Sequence, residues 1–127
     1  MSLIPHSTVL VVDGFDESRE VLRTALERRG FRVLEATHAA AGLAMARLHQ
    51  PDLVLLDLDC CPTGSETAEE FASIAENDGS TLLLLGNLPS ISGTSGSEFV
   101  AKPYHFKPLI LRIEELLLRQ RCGRAAA

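Results

Sequence analysis

Three aspartates and one lysine carry the chemistry open to this chain. Asp13 follows the apolar run VLVV, Asp57 and Asp59 follow LVLL, and Lys102 follows FVA. Carboxylates gathered at the end of buried strands are costly unless a cation neutralises them, and oxygen ligands of this kind suit Mg²⁺. An Asp beside a bound metal and a Lys can attack phosphorus and form an acyl phosphate, with metal and Lys neutralising charge on the transferring group. The chemistry these residue types imply is phosphoryl transfer onto Asp57, provided that the fold brings them together.

The elements that must do so are legible along the chain. Thr8 to Val12 is a short β-branched run that predicts a strand buried on both faces. Asp16 stands where a helix N-cap belongs, and Val21, Leu22, Ala25 and Leu26 recur at helical spacing up to the stop at Gly30. Phe31 to Glu35 predicts a second strand. Thr37 is then placed to cap an Ala-rich helix that runs to Gln50, ahead of Pro51. Leu53 to Leu56 predicts the third strand, and Gly64-Ser65 opens a helix through Ala68, Phe71 and Ala75 to the breaker Asp78-Gly79. Leu82 to Leu85 predicts a fourth strand and Phe99 to Ala101 a fifth. Between them, Gly86 to Gly96 turns to Gly, Ser, Asn and Pro, which reads as loop where the alternation calls for a helix. Leu109, Ile113, Leu116 and Leu117 mark a final helix, with Pro108 tolerated in its first turn.

Strands alternating with helices predict an α/β fold, a parallel sheet covered on both faces. Ligands in such sheets bind at the carboxyl ends of the strands, where Asp13, Asp57, Asp59 and Lys102 all fall. With 127 residues the chain fits a single domain, assigned to residues 8–118, with 1–7 and 119–127 as tails or linker ends. A net charge of −5 and the lack of a basic block argue against direct nucleic-acid binding. No apolar stretch approaches a membrane span, and the start MSLIPHST lacks the features of a signal peptide, so the expected setting is cytoplasmic. Three cysteines, with Cys60 and Cys61 adjacent, form neither a disulfide framework nor a Cys-x-x-Cys motif and read as reduced thiols. His6, His38, His49 and His105 have no ligand spacing and read as surface residues.

VLVVDG at 9–14, DLVLLDLDCCP at 52–62 and FVAKP at 99–103, in that order, resemble a response-regulator receiver domain of two-component signalling, over residues 8–118. The resemblance implies a doubly wound five-stranded sheet of flavodoxin-like order 2-1-3-4-5; the interval from Gly86 to Lys102 departs from it, being too short and too Gly/Ser-rich for a full helix, so the helix between the fourth and fifth strands is expected to be shortened or absent. It implies Asp57 as phosphoacceptor, with Asp13, Asp57 and the Asp59 backbone carbonyl holding Mg²⁺. Lys102 would contact the phosphoryl group, Phe99 would be the aromatic switch residue, and the Lys102-Pro103 bond would be cis. The implied donor is a histidine kinase or phosphotransfer protein, and the implied output an effector domain or partner protein. A module of this kind is not an enzyme beyond its own phosphotransfer and dephosphorylation.

The sequence also departs from that pattern. Gly14 stands at the second acidic position, which lowers the expected Mg²⁺ affinity, and Gly86 replaces a hydroxyl residue after the fourth strand. Pro62 lies one place later than usual. Asp16 and Asp59 are the candidates to supply the missing metal oxygen, Asp59 having the better claim. Two alternatives stay open: a pseudo-receiver that binds partners without phosphorylation, and a haloacid-dehalogenase-like phosphatase using Asp57-x-Asp59. The phosphatase needs a later acidic pair, yet beyond Lys102 only Glu114 and Glu115 are acidic, and both lie in the last helix. An exposed Leu111 or Leu118 would mark a partner or homodimer surface.

Overall fold

The computed structural model describes residues 7–60, 64–86, 97–102 and 105–126. In chain order it contains β1 (Thr8–Val12), α1 (Asp16–Arg28), β2 (Arg32–Ala36), α2 (Ala39–His49), β3 (Leu53–Asp57), a 3₁₀ turn (Leu58–Cys60), α3 (Gly64–Asp78), β4 (Thr81–Gly86), β5 (Ser97–Ala101) and α4 (Phe106–Ala126). The strands form one parallel sheet of order β2-β1-β3-β4-β5. The helix expected to be short or absent between β4 and β5 falls on residues 87–96, outside the described residues, as do Cys61, Pro62 and Pro103.

Strand periodicity splits the core into two layers, because successive side chains leave a strand on opposite faces. Val9, Val11, Leu53, Leu55, Leu83 and Leu85 meet Leu22 and Leu26 of α1 and Leu109, Ile113, Leu116 and Leu117 of α4. On the other face, Leu10, Val12, Val54, Leu56, Leu82 and Leu84 meet Ala46 of α2 and Ala68, Phe71 and Ala75 of α3. β1 and β3, paired to each other, are buried along almost their whole length, which explains their unbroken apolar runs. Gly42 lets α2 lie close to the sheet: a Cβ there would stand 2.7 Å from Val12 Cγ2 and 3.1 Å from Phe71 Cζ.

Two helix starts differ from the sequence expectation. The residue flanking α1 is Phe15, not Asp16, and Asp16 is already helical. Asp13 has taken over the local capping work, accepting the Phe15 N–H at 2.9 Å and the Ser18 hydroxyl at 2.5 Å. For α2 the cap is His38 and not Thr37, its Nδ1 accepting the Ala41 N–H at 3.2 Å. Helix α2 ends on Gln50, a non-glycine residue in the left-handed region at φ 48°.

The last helix continues past Leu118. Gln120 on this extension donates from Nε2 to the backbone oxygens of Asp52 (3.1 Å) and Gly79. At the front, Ser7 is buried and its carbonyl accepts the Arg32 N–H. Asp52 closes the same end of the sheet, its carboxylate accepting the Thr8 N–H at 2.8 Å.

Candidate functional site at the carboxyl edge of the sheet

Parallel strands in register put their carboxyl ends on one edge. Val12 lies opposite Leu56 and Asp57 opposite Leu85, while Gly86 lies opposite Ala101, so the residues after β1, β3 and β5 converge. Asp57 ends β3 with only 2% of its surface exposed, and Asp13, directly after β1, is equally buried. Lys102 follows β5, and its N–H donates to the Gly86 carbonyl at 3.0 Å, which fixes the lysine backbone against the end of β4.

The lysine side chain closes the site. Its Nζ lies 2.9 Å from Asp57 Oδ1, 2.8 Å from Asp57 Oδ2 and 3.0 Å from Asp59 Oδ2. Asp57 Oδ1 also accepts the Asp59 N–H at 2.9 Å, across the 3₁₀ turn that brings Asp59 back over the strand end. Phe15, 59% exposed, lies beside this group with its ring centroid 5.8 Å from Nζ.

These surroundings set the charges. Burial pushes the Asp57 carboxyl above the usual carboxylate range; Lys102 and the Asp59 amide pull it down, and Asp13 pushes it up again. Burial alone would lower Lys102, but its bonds to Asp57 and Asp59 outweigh that and raise its pKa. Lys102 therefore stays an ammonium while Asp57 ionises less readily than an exposed aspartate.

The structure brings together Asp13, Asp57, Asp59 and Lys102 as the sequence predicts. Gly14 is exposed and adds no side chain. Phe99 is half-buried on β5, opposite Leu84 and against the α2/α3 core layer. Asp16 turns away: its side chain is 86% exposed and bonded to Arg19, which removes it as a compensating ligand. Ser18 and Arg19 were not anticipated. Ser18 holds the Asp13 carboxylate, and the Arg19 guanidinium donates to the Asp13 carbonyl at 2.9 Å. Their only sequence signal is position, in the first turn of the helix that follows Asp13.

Residues 9–62 match the family model of the response regulator receiver domain. The chain is 30% identical over 119 residues to the probable transcriptional regulatory protein TcrX of Mycobacterium tuberculosis, covering 88% of this chain and 50% of that one. Over these residues the chain is homologous to the receiver domains of response regulators. Over 52 residues it is 46% identical to the KDP operon transcriptional regulatory protein KdpE of Escherichia coli, covering 41% of this chain and 23% of that one. The receiver fold recurs in a CheY-like receiver domain protein from Methanospirillum hungatei, with a TM-score of 0.81 at 23% identity, covering 93% of this chain and 98% of that one. The chain spans about half the length, or less, of the curated relatives it matches. Among the described residues no helix is long and apolar enough to cross a membrane.

Receiver domains are signalling modules and typically bind Mg²⁺ at the phosphorylation site. The side chains at this site do not fit a preformed Mg²⁺ site. Asp13 spends both carboxylate oxygens on Phe15 and Ser18, and Asp57 spends both on Lys102. No group of three or more His, Cys, Asp or Glu among the described residues is arranged to hold a metal ion.

Proposed function

We propose that this receiver accepts a phosphoryl group on Asp57 from a histidine kinase or phosphotransfer protein, and passes the signal to an effector domain or partner protein. The observation that carries the reading is the buried Asp57 carboxylate held at the strand end by both of its oxygens on Lys102, beside Asp13. An Asp57 oxygen forms the new bond to phosphorus as the donor's P–N bond breaks, and the imidazole leaves with the electron pair and takes up a proton. The Lys102 ammonium, already in place, neutralises charge on the transferring oxygens. Asp13, Asp57 and the Asp59 carbonyl are the groups left to a divalent ion, a reduced set that predicts weak Mg²⁺ binding at most. Leu111 and Leu118, seven residues apart on α4 and 47% and 37% exposed, are the residues we assign to a partner or homodimer surface.

The pseudo-receiver reading retains a specific observation in its favour: Lys102 is fully engaged by Asp57 and Asp59 while positions 14 and 86 lack the side chains that receivers use. Intact mass after incubation with acetyl phosphate separates the two. One added phosphoryl group on the parent and none on Asp57→Asn supports the acceptor; no adduct on either, with and without Mg²⁺, leaves the phosphorylation-independent module.

A further inference from the structure

An ammonium group has three N–H donors and no acceptor. Lys102 Nζ meets three carboxylate oxygens within 3.0 Å, two on Asp57 and one on Asp59, so its donors are matched one to one. That places one fixed positive charge between two carboxylates, with Asp13 the third carboxylate near enough to act on Asp57.

Two glycines make this arrangement possible. Gly14 supplies no carboxylate to draw a cation toward the β1 side of the edge. Gly86 does not have a positive φ, so its bareness serves space and not backbone freedom. A Cβ there would stand 3.3 Å from Leu58 Cβ and 3.6 Å from Asp59 Oδ1. The Asp59 carboxylate thus leans against the ground a larger residue at position 86 would occupy, and from there it reaches the lysine.

We propose that Lys102, chelated by Asp57 and Asp59, is the resident counter-cation of this site and takes the neutralising role that receivers typically give to Mg²⁺. The inference concerns the resting site and does not depend on whether Asp57 is phosphorylated, so an absent acetyl-phosphate adduct leaves it standing.

The test is thermal unfolding of the full chain titrated with MgCl₂ to 20 mM at constant ionic strength, for the parent, Lys102→Met and the Lys102→Met/Asp57→Asn double variant. The parent is expected to show no Mg²⁺-dependent shift. Lys102→Met, left with uncompensated carboxylates, is expected to gain one, a Tm rise of about 6 °C at ten times the dissociation constant, and the double variant to lose it. If Lys102→Met is unfolded without metal, refolding on addition of Mg²⁺ reads the same gain. A parent that Mg²⁺ stabilises in an Asp57-dependent way overturns the proposal, and so does a Lys102→Met chain that Mg²⁺ neither stabilises nor refolds.

Discussion

Removing one partner or the other of the Asp57–Lys102 pair should have unequal consequences, because only one of the two is deeply buried. Asp57 is 2% exposed, whereas the Lys102 side chain is 20% exposed and keeps Asp59 as a second partner. Lys102→Met strands a buried carboxylate, a change that typically costs about 3–5 kcal/mol. The carboxylate can escape by taking a proton, which caps the loss at about 4 kcal/mol at pH 7, roughly 3 units above an ordinary Asp at 1.36 kcal/mol each. Water reaching in along the lysine path places the expected loss near the lower end, about 3 kcal/mol, or a Tm lowered by about 12 °C. Asp57→Asn removes the charge that is hard to bury and leaves Lys102 on Asp59, so its stability should stay within about 1 kcal/mol of the parent.

The pH dependence carries its own sign. The Asp57 carboxyl lies above its unfolded value in the folded chain, with burial as the leading cause, so its contribution is complete below about pH 4 and is lost as pH rises through the folded pKa. Deleting Lys102 removes a downward pull and moves that loss to higher pH. The deficit of Lys102→Met should therefore shrink to about 1.4 kcal/mol at pH 5, one unit above an ordinary Asp. Urea unfolding followed by far-UV circular dichroism measures both, since the chain has no Trp. Equal losses in the two variants, or a Lys102→Met deficit unchanged between pH 5 and 7, would refute the reasoning.

Two further predictions concern the frame around the site. Gly42→Ala drives a methyl to 2.7 Å from Val12 Cγ2, which costs about 1–3 kcal/mol of overpacking against about 1 kcal/mol returned by helix propensity, a net loss to be read from the urea midpoint. Gln50→Gly relieves a left-handed residue at φ 48° and should stabilise the chain by about 0.5–1 kcal/mol, read as a higher urea midpoint. An unchanged or lowered midpoint for Gln50→Gly would show that the Gln50 side chain compensates for its backbone.

Strand β1 and helix α3 have the limits that the sequence predicts, because each is bounded by residues with one reading: Asp13-Gly14 after Val12, and Gly64 and Gly79 around the helix. The strand order followed from the resemblance and not from periodicity, which cannot distinguish one parallel order from another. The helix caps were misplaced because a capping residue is recognised by type. Asp16 has the right type, but Asp13 was already bonded to the first turn, and His38 served with a ring nitrogen where Thr37 offered a hydroxyl. The four site residues could be named because their types and strand-end positions are visible in the chain. That one lysine would hold two of the aspartates depends on how the 3₁₀ turn and the bare Gly86 let Asp59 lean, which is three-dimensional information.

The sheet order has one more consequence, for the timing of motion at the site. Asp13 follows β1 and Asp57 ends β3, two inner and almost fully buried strands, whose amides are expected to exchange with solvent only when the whole domain opens. Lys102 ends β5, an edge strand whose described side chains are half-buried or exposed, and such a strand can detach in a smaller opening of its own. The acidic half of the site is thus fixed on the lifetime of the native state. The basic half is expected to open on a faster clock, which amide exchange along β5 would read directly.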